Sequence, residues 1–237
     1  MFLLGATLAL GFTVASYLLS GAIKSMRQDT GIKVKGYAEL QVLADTAMWK
    51  ISISSRDPDV KVAYSKVEHD RNIVLSKLTE LNIVSSETKI GSASIVEEKE
   101  VDEKGNKRNK IEFFRVSQEI TVETKKVDQV YNVQKEVSGL IKDGIDVDSK
   151  MPSFTYSKIE DAKLELLGKA SQNAYERAMI IVSKTGGKIG PIKSASQGVF
   201  QIVPKNSTDV SDYGSYDVTT IEKTVKAVVT MDFDVAK

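Results

Sequence analysis

The chain carries one histidine, His69, and no cysteine, which bounds its chemistry before any element is placed. Without thiols there is no disulfide, thiolate zinc site, iron–sulfur cluster or cysteine nucleophile. A lone imidazole removes multi-histidine metal sites and leaves few general bases near neutral pH. His69 follows Val67 by two residues, roughly 200° around a helix from its apolar stripe, so it faces solvent. The run Lys184-Thr185-Gly186-Gly187-Lys188-Ile189-Gly190-Pro191 has the residue types of a phosphate cradle. It lacks the G-x-x-x-x-G-K-[ST] spacing and follows a helix, so it reads as a helix cap and turn. Neither G-x-G-x-x-G nor G-x-S-x-G occurs, and a serine without a nearby imidazole is a poor nucleophile. With 32 acidic residues, no Asp/Glu pair stands out. No catalytic, metal or cofactor-binding residue is assigned, and no cofactor is expected. Asn206-Ser207-Thr208 fits a glycosylation sequon and equally a polar turn. Tyr213 and Tyr216 sit in a polar loop, where an amphipathic ring suits contact with a partner better than a core.

The elements that must position these residues follow from composition and period. The chain has 237 residues, 41% of them hydrophobic, enough for one large domain or two small ones with a real core. Basic and acidic side chains number 33 and 32, so no global field favours nucleic acid. Four Pro and 15 Gly argue against low complexity.

From Phe2 to Ile23 there is no charge over 22 positions, and about 20 apolar residues cross a bilayer core. We read residues 1–24 as a transmembrane or signal helix and 25–237 as the body. An uncleaved anchor and a cleaved signal, with Ser20-Gly21-Ala22 as the site, both fit. Lys24, Arg27, Lys33 and Lys35 follow the stretch, which by the positive-inside bias would keep the body cytoplasmic.

The body alternates strands and helices. Thr30–Leu43 has period two, with Ile32, Val34, Gly36, Ala38, Leu40 and Val42 on one face. After Ala44-Asp45, the alternation from Ala47 to Ser54 reads as the return strand of a hairpin. Asp57-Pro58 starts a helix to about Leu81, with Val60, Tyr64, Val67, Arg71, Val74, Leu78 and Leu81 as its stripe. Strands near Lys89–Glu97 and Ile111–Glu123 flank the charged segment Glu97–Lys110, a solvated hairpin tip. Val127–Lys142 is a helix closed by Asp143-Gly144. A strand lies near Pro152–Tyr156. A third helix, Glu160–Lys184, lines up Leu164, Leu167, Ala170, Ala174, Ala178 and Ile181. Ile192–Val203 and Glu222–Val235 form the closing pair. Between them Pro204–Ile221 is a connection without helix or strand pattern, either mobile or functional. The class is α+β, antiparallel strand pairs packed with three helices in the order ββαββαβαββ.

Three stretches together resemble the bacterial SIMPL domain family. Ile32–Glu39 (IKVKGYAE) with Ala44–Ile51 (ADTAMWKI) is similar to its opening V-x-G-x-A-E … A-D-x-A-x-W pattern. Ala162, Ala170, Ala174 and Ala178, followed by Gly187-Lys188-Ile189-Gly190, resemble its alanine helix and G-x-K-x-G. Ser194–Ile202 and Lys223–Phe233 resemble the endings of its membrane-anchored members. The resemblance spans residues 30–237 and implies an exported envelope protein, anchored or periplasmic, whose α+β domain self-assembles. It implies no catalytic residues. The expectation is a non-enzymatic, single-span protein of the bacterial inner membrane, its body outside the cytoplasm, forming homo-oligomers. The alternative is an adaptor that binds an envelope ligand or partner through loop 204–221. No nucleic acid partner is expected, and no small-molecule ligand is specified.

Overall fold

The structure is a computed structural model that describes residues 31–101, 107–209 and 211–236, with isolated helical positions 11, 13, 15, 16 and 20 before them. The expected anchor over residues 2–23 lies, but for those positions, outside the described residues. No helix among the described residues is long and apolar enough to cross a membrane.

The body is α+β, with antiparallel sheets and three helices. β1 (Gly31–Leu43) and β2 (Thr46–Asp57) come first, then α1 (Val60–Glu80), β3 (Thr88–Ile90), β4 (Ser94–Val101) and β5 (Lys107–Thr124). α2 (Val130–Gly139), β6 (Val147–Ser149), β7 (Ser153–Thr155) and α3 (Ile159–Lys184) follow. The chain ends with β8 (Lys188–Gln197), β9 (Gln201–Pro204), β10 (Ser215–Tyr216) and β11 (Glu222–Ala236). Two sheets result. One runs β1-β11-β9-β10, with β8 also on β11; the other runs β3-β5-β2-β6, with β4 on β5 and β7 on β2.

β1 and β2 are therefore not a hairpin. β1 pairs with β11 along its whole length, from Gly31↔Asp234 to Leu43↔Glu222. β2 pairs with β5, from Ala47↔Thr124 to Asp57↔Phe114. Ala44-Asp45 carries the chain from one sheet to the other. A two-residue hairpin needs positive φ, which Gly and Asn supply and Ala-Asp does not favour. Asp45 is held at the crossing, its carboxylate accepting from Ser157 N–H (2.9 Å) and Ser157 Oγ (2.6 Å).

Each sheet buries one face. Against the second sheet, α1 and α2 cover Trp49, Ile51, Ile53, Ile120 and Val122. Each such side chain contributes about 1.5–3 kcal/mol by leaving water. Against the first sheet lies α3, over Val225, Ala227, Val229 and Phe233. Its buried row is Ala162, Leu166, Ala170, Ala174, Ala178 and Val182. Leu164 (70% exposed) and Ile181 (50%) lie off it, unlike the expected stripe. A strict four-residue step advances about 40° per turn, so the contact line spirals along the helix over a twisted sheet.

The other departures are local. Asp59, not Asp57, caps α1, accepting from Lys61 N–H at 2.8 Å; Asp57 instead accepts from Asp59 N–H at 2.8 Å. The α1 stripe is Ala63, Val67, Asp70, Val74 and Leu78, with Tyr64 exposed. The strand near Lys89–Glu97 is two strands, β3 and β4, both on β5. The tip of the hairpin from β4 to β5, 102–106, lies outside the described residues. α2 is flanked by 3-10 turns and closed by Gly144 at φ 80°. Ile192–Val203 is likewise two strands, β8 and β9, each paired with β11.

Candidate functional site

Loop 204–221 is woven into the fold rather than loose. Within it β10 lies parallel to β9, Ser215 beside Gln201 and Tyr216 beside Ile202. The Gln201 side chain donates to Ser211 C=O (2.6 Å) and accepts from Ser211 N–H (3.3 Å). Lys226 Nζ donates to Ser207 C=O (2.6 Å). Lys223, 2% exposed on β11, donates to the Asp217 carbonyl (2.8 Å) and carboxylate (3.0 Å). Burial alone would raise the Asp217 carboxyl, but the hydroxyls of Thr220 and Thr219, the Thr219 N–H and Lys223 hold it far below the usual carboxylate range. Val218 C=O accepts from Phe154 N–H and Thr219 C=O from the Tyr131 hydroxyl, so the loop also reaches the second sheet's lobe.

What this framework presents is Tyr213, 98% exposed at the tip, with Tyr216 half exposed three residues on, in β10. Gly214 between them has φ 87°, and a β-carbon there would stand 3.1 Å from Phe200 O and 3.6 Å from Val199 Cβ. The tip therefore rests at the end of β8, next to an exposed strand edge. Asn206 of the sequon adopts φ 65° in a turn. His69 is exposed on α1. Gly186, at φ 76°, caps α3, and Gly187 N–H donates to Val182 C=O, so the glycine-rich run is a helix end leading into β8.

A second feature is an open polar cleft of about 720 Å³ between β2, β5, β6 and the start of α1. Ser52, Ser54, Ser117, Arg56, Arg115, Lys66, Asp146 and Asp148 are among its lining. Here Arg56 and Arg115 stand directly opposite in register, and Glu98 engages both, at 3.3 Å and 2.5 Å. Ser54 Oγ donates to Asp146 (2.5 Å), and Lys66 pairs with the buried Asp70 at 3.0 Å. The lining offers hydroxyls and charges of both signs, hence hydrogen bonds to a polar molecule, and His69 is not among it. Among the described residues no group of three or more His, Cys, Asp or Glu could hold a metal ion. The cleft was not legible in the sequence, because its residues come from four separate elements with no spacing between them to notice.

The residues that carried the resemblance have structural work. Gly36 lies directly under α3, against Ala170 and Ala174. Asp45 pins the crossing between the sheets, where burial would raise its carboxyl but bonds from Ser157 and Thr46 hold it below the usual range. Trp49 fills the centre of one core, and the four alanines line the buried row of α3. None of the curated proteins matches the chain. A family model described as SIMPL, a protein of unknown function (DUF541), matches residues 32–233. The match takes in both sheets and all three helices, as well as the glycine, aspartate, tryptophan and alanines just placed, and by it the chain belongs to the SIMPL family.

Proposed function

We propose that the protein is a non-enzymatic envelope protein held in the bacterial inner membrane by one N-terminal span. Its α+β body lies on the far side and assembles into homo-oligomers. The observation that carries this is the uncharged stretch Phe2–Ile23, long enough for a bilayer core, only a few residues before the folded body opens at Gly31. So short a connection keeps the body near the lipid surface. Copies confined to a plane meet at raised effective concentration, and weak self-contacts then suffice for assembly. A topology reporter fused to the C-terminus, with sequencing of the mature N-terminus, tests the anchor. Light scattering of the full chain in detergent tests assembly. An intact chain free in the cytoplasm would overturn the first part, and a strict single copy at high concentration the second.

A second reading, capture of an envelope ligand or partner through loop 204–221, is favoured by the full exposure of Tyr213. Because the loop is stitched into both lobes, its deletion would damage the fold. The informative variant is Tyr213→Ala with Tyr216→Ala, which should abolish capture of an envelope component and leave melting unchanged. Retained capture would dismiss this reading.

A further inference from the structure

The sheet edges of this molecule are unequally guarded. An unpaired strand edge is a template for another strand, and proteins blunt such edges with charge, proline, brevity or cover. β1 is covered where Asn173 Oδ1 accepts from Tyr37 N–H (3.1 Å) and Arg177 donates to Lys35 C=O (3.1 Å). β4 carries Glu97, Glu98, Lys99 and Glu100 in succession, and β3, β6, β7 and β10 are only two or three residues long. β8 differs. It is ten residues long, pairs among the described residues only with β11, and after Pro191 and Lys193 has no charge or proline through Gln197. Gly198 and Val199 continue the uncharged run, and every residue from Pro191 to Val199 is exposed.

The outward groups can be identified. Gly198 N–H donates to Val228 C=O (2.9 Å), and Ser196 and Ser194 lie opposite Thr230 and Asp232, so these alternate residues bond inward. Ala195 and Gln197 therefore direct N–H and C=O away from β11. We propose that this edge pairs antiparallel with β8 of a second copy of the chain, about a two-fold axis at Ser196. Ala195 of each copy exchanges backbone bonds with Gln197 of the other, and Ser196 meets Ser196. Charge selects this occupant: self-pairing sets Lys193 opposite Val199, with no like charges facing, whereas self-pairing of β4 would set acids against acids. The proposal rests on the self-assembly reading and names its contact.

The chain has no cysteine, so one introduced cysteine reports the contact without background. In a non-hydrogen-bonded antiparallel pair the two Cα atoms stand about 4.5 Å apart, within disulfide reach. The full chain bearing Ser196→Cys, oxidised mildly in detergent, should form covalent dimers, whereas Ser94→Cys on β4 should not. Adding Gln197→Pro removes an outward donor that no bond inside the sheet uses. It acts twice across the axis and should weaken pairing about tenfold or more. Ser196→Lys, which sets lysine against lysine, is the second variant and leaves every backbone bond in place. Equal cross-linking of Ser196→Cys and Ser94→Cys, or no effect of either edge variant, overturns the β8 contact. If light scattering still shows oligomers in that event, self-assembly stands and uses another surface. If the unaltered chain is a single copy, the self-assembly reading itself falls.

Discussion

Gly36 lies so close beneath Ala170 that a β-carbon on it would stand 2.0 Å from the Ala170 carbonyl oxygen and 2.6 Å from Ala174 N. The obstacle is helix backbone, which cannot step aside. Gly36→Ala is expected to cost about 3 kcal/mol or more, because strand and helix must part. Gly168 on the same helix is the control: it is exposed, and its added β-carbon meets nothing within 4 Å. Gly168→Ala should stabilise by about 1 kcal/mol. The single tryptophan, Trp49, buried in the other core, provides the fluorescence signal for both melts.

Asp217 and Lys223 form the lock on the long loop, and Asp217→Ala would leave a buried ammonium without its carboxylate. Such a loss costs about 3–5 kcal/mol, and chemical denaturation of the variant should show it. The pH dependence has a definite sign. An acid with depressed affinity for protons in the folded state adds stability that is complete above its unfolded value, about 4. That contribution drains away as pH falls below that value towards the lower folded one. The stability gap between the native chain and Asp217→Asn should be flat above pH 5 and narrow below pH 4. A gap independent of acid would show that the carboxylate charge does not hold the loop.

Asp45 acts in the same direction at the crossing. Asp45→Ala removes the acceptor for two Ser157 donors and is expected to cost about 2 kcal/mol. Ser157→Ala keeps the backbone N–H donor and should cost less. If the two substitutions cost the same, the backbone bond contributes little.

Arg56 and Arg115 face one another with Glu98 between them. Glu98→Gln should destabilise by about 1 kcal/mol at low salt, and by less at 0.5 M salt, where exposed charges are screened within about 4 Å. A loss insensitive to salt would mean that Glu98 acts by packing alone.

Much of the fold was legible because burial leaves a period. The alternation of β1 and β11 and the ends of α3 could be drawn from side-chain pattern alone. Partnership could not: alternation marks which face is buried and is silent on which strand lies alongside, so from sequence β1 reads as the mate of β2, its neighbour along the chain. β6, β9 and β10 are too short to show a period, and Asp217 and Lys223 look like ordinary loop and strand polarity until the fold joins them. In the candidate site, the exposure of Tyr213 could be anticipated from the polar residues around it. The open edge of β8 could not, since whether a strand is central or peripheral depends on residues far away.

The pairing of β1 with β11 has a consequence for biosynthesis. A ribosome releases β1 first among the eleven strands and its mate last, so the lobe built on β2 and β5 can be finished while β1 still waits. During that interval Ile32, Val34, Leu40 and Val42 lack the cover that α3 and β11 later give them. Until translation ends this apolar ribbon stays open, a window in which holding factors or premature aggregation would compete with folding.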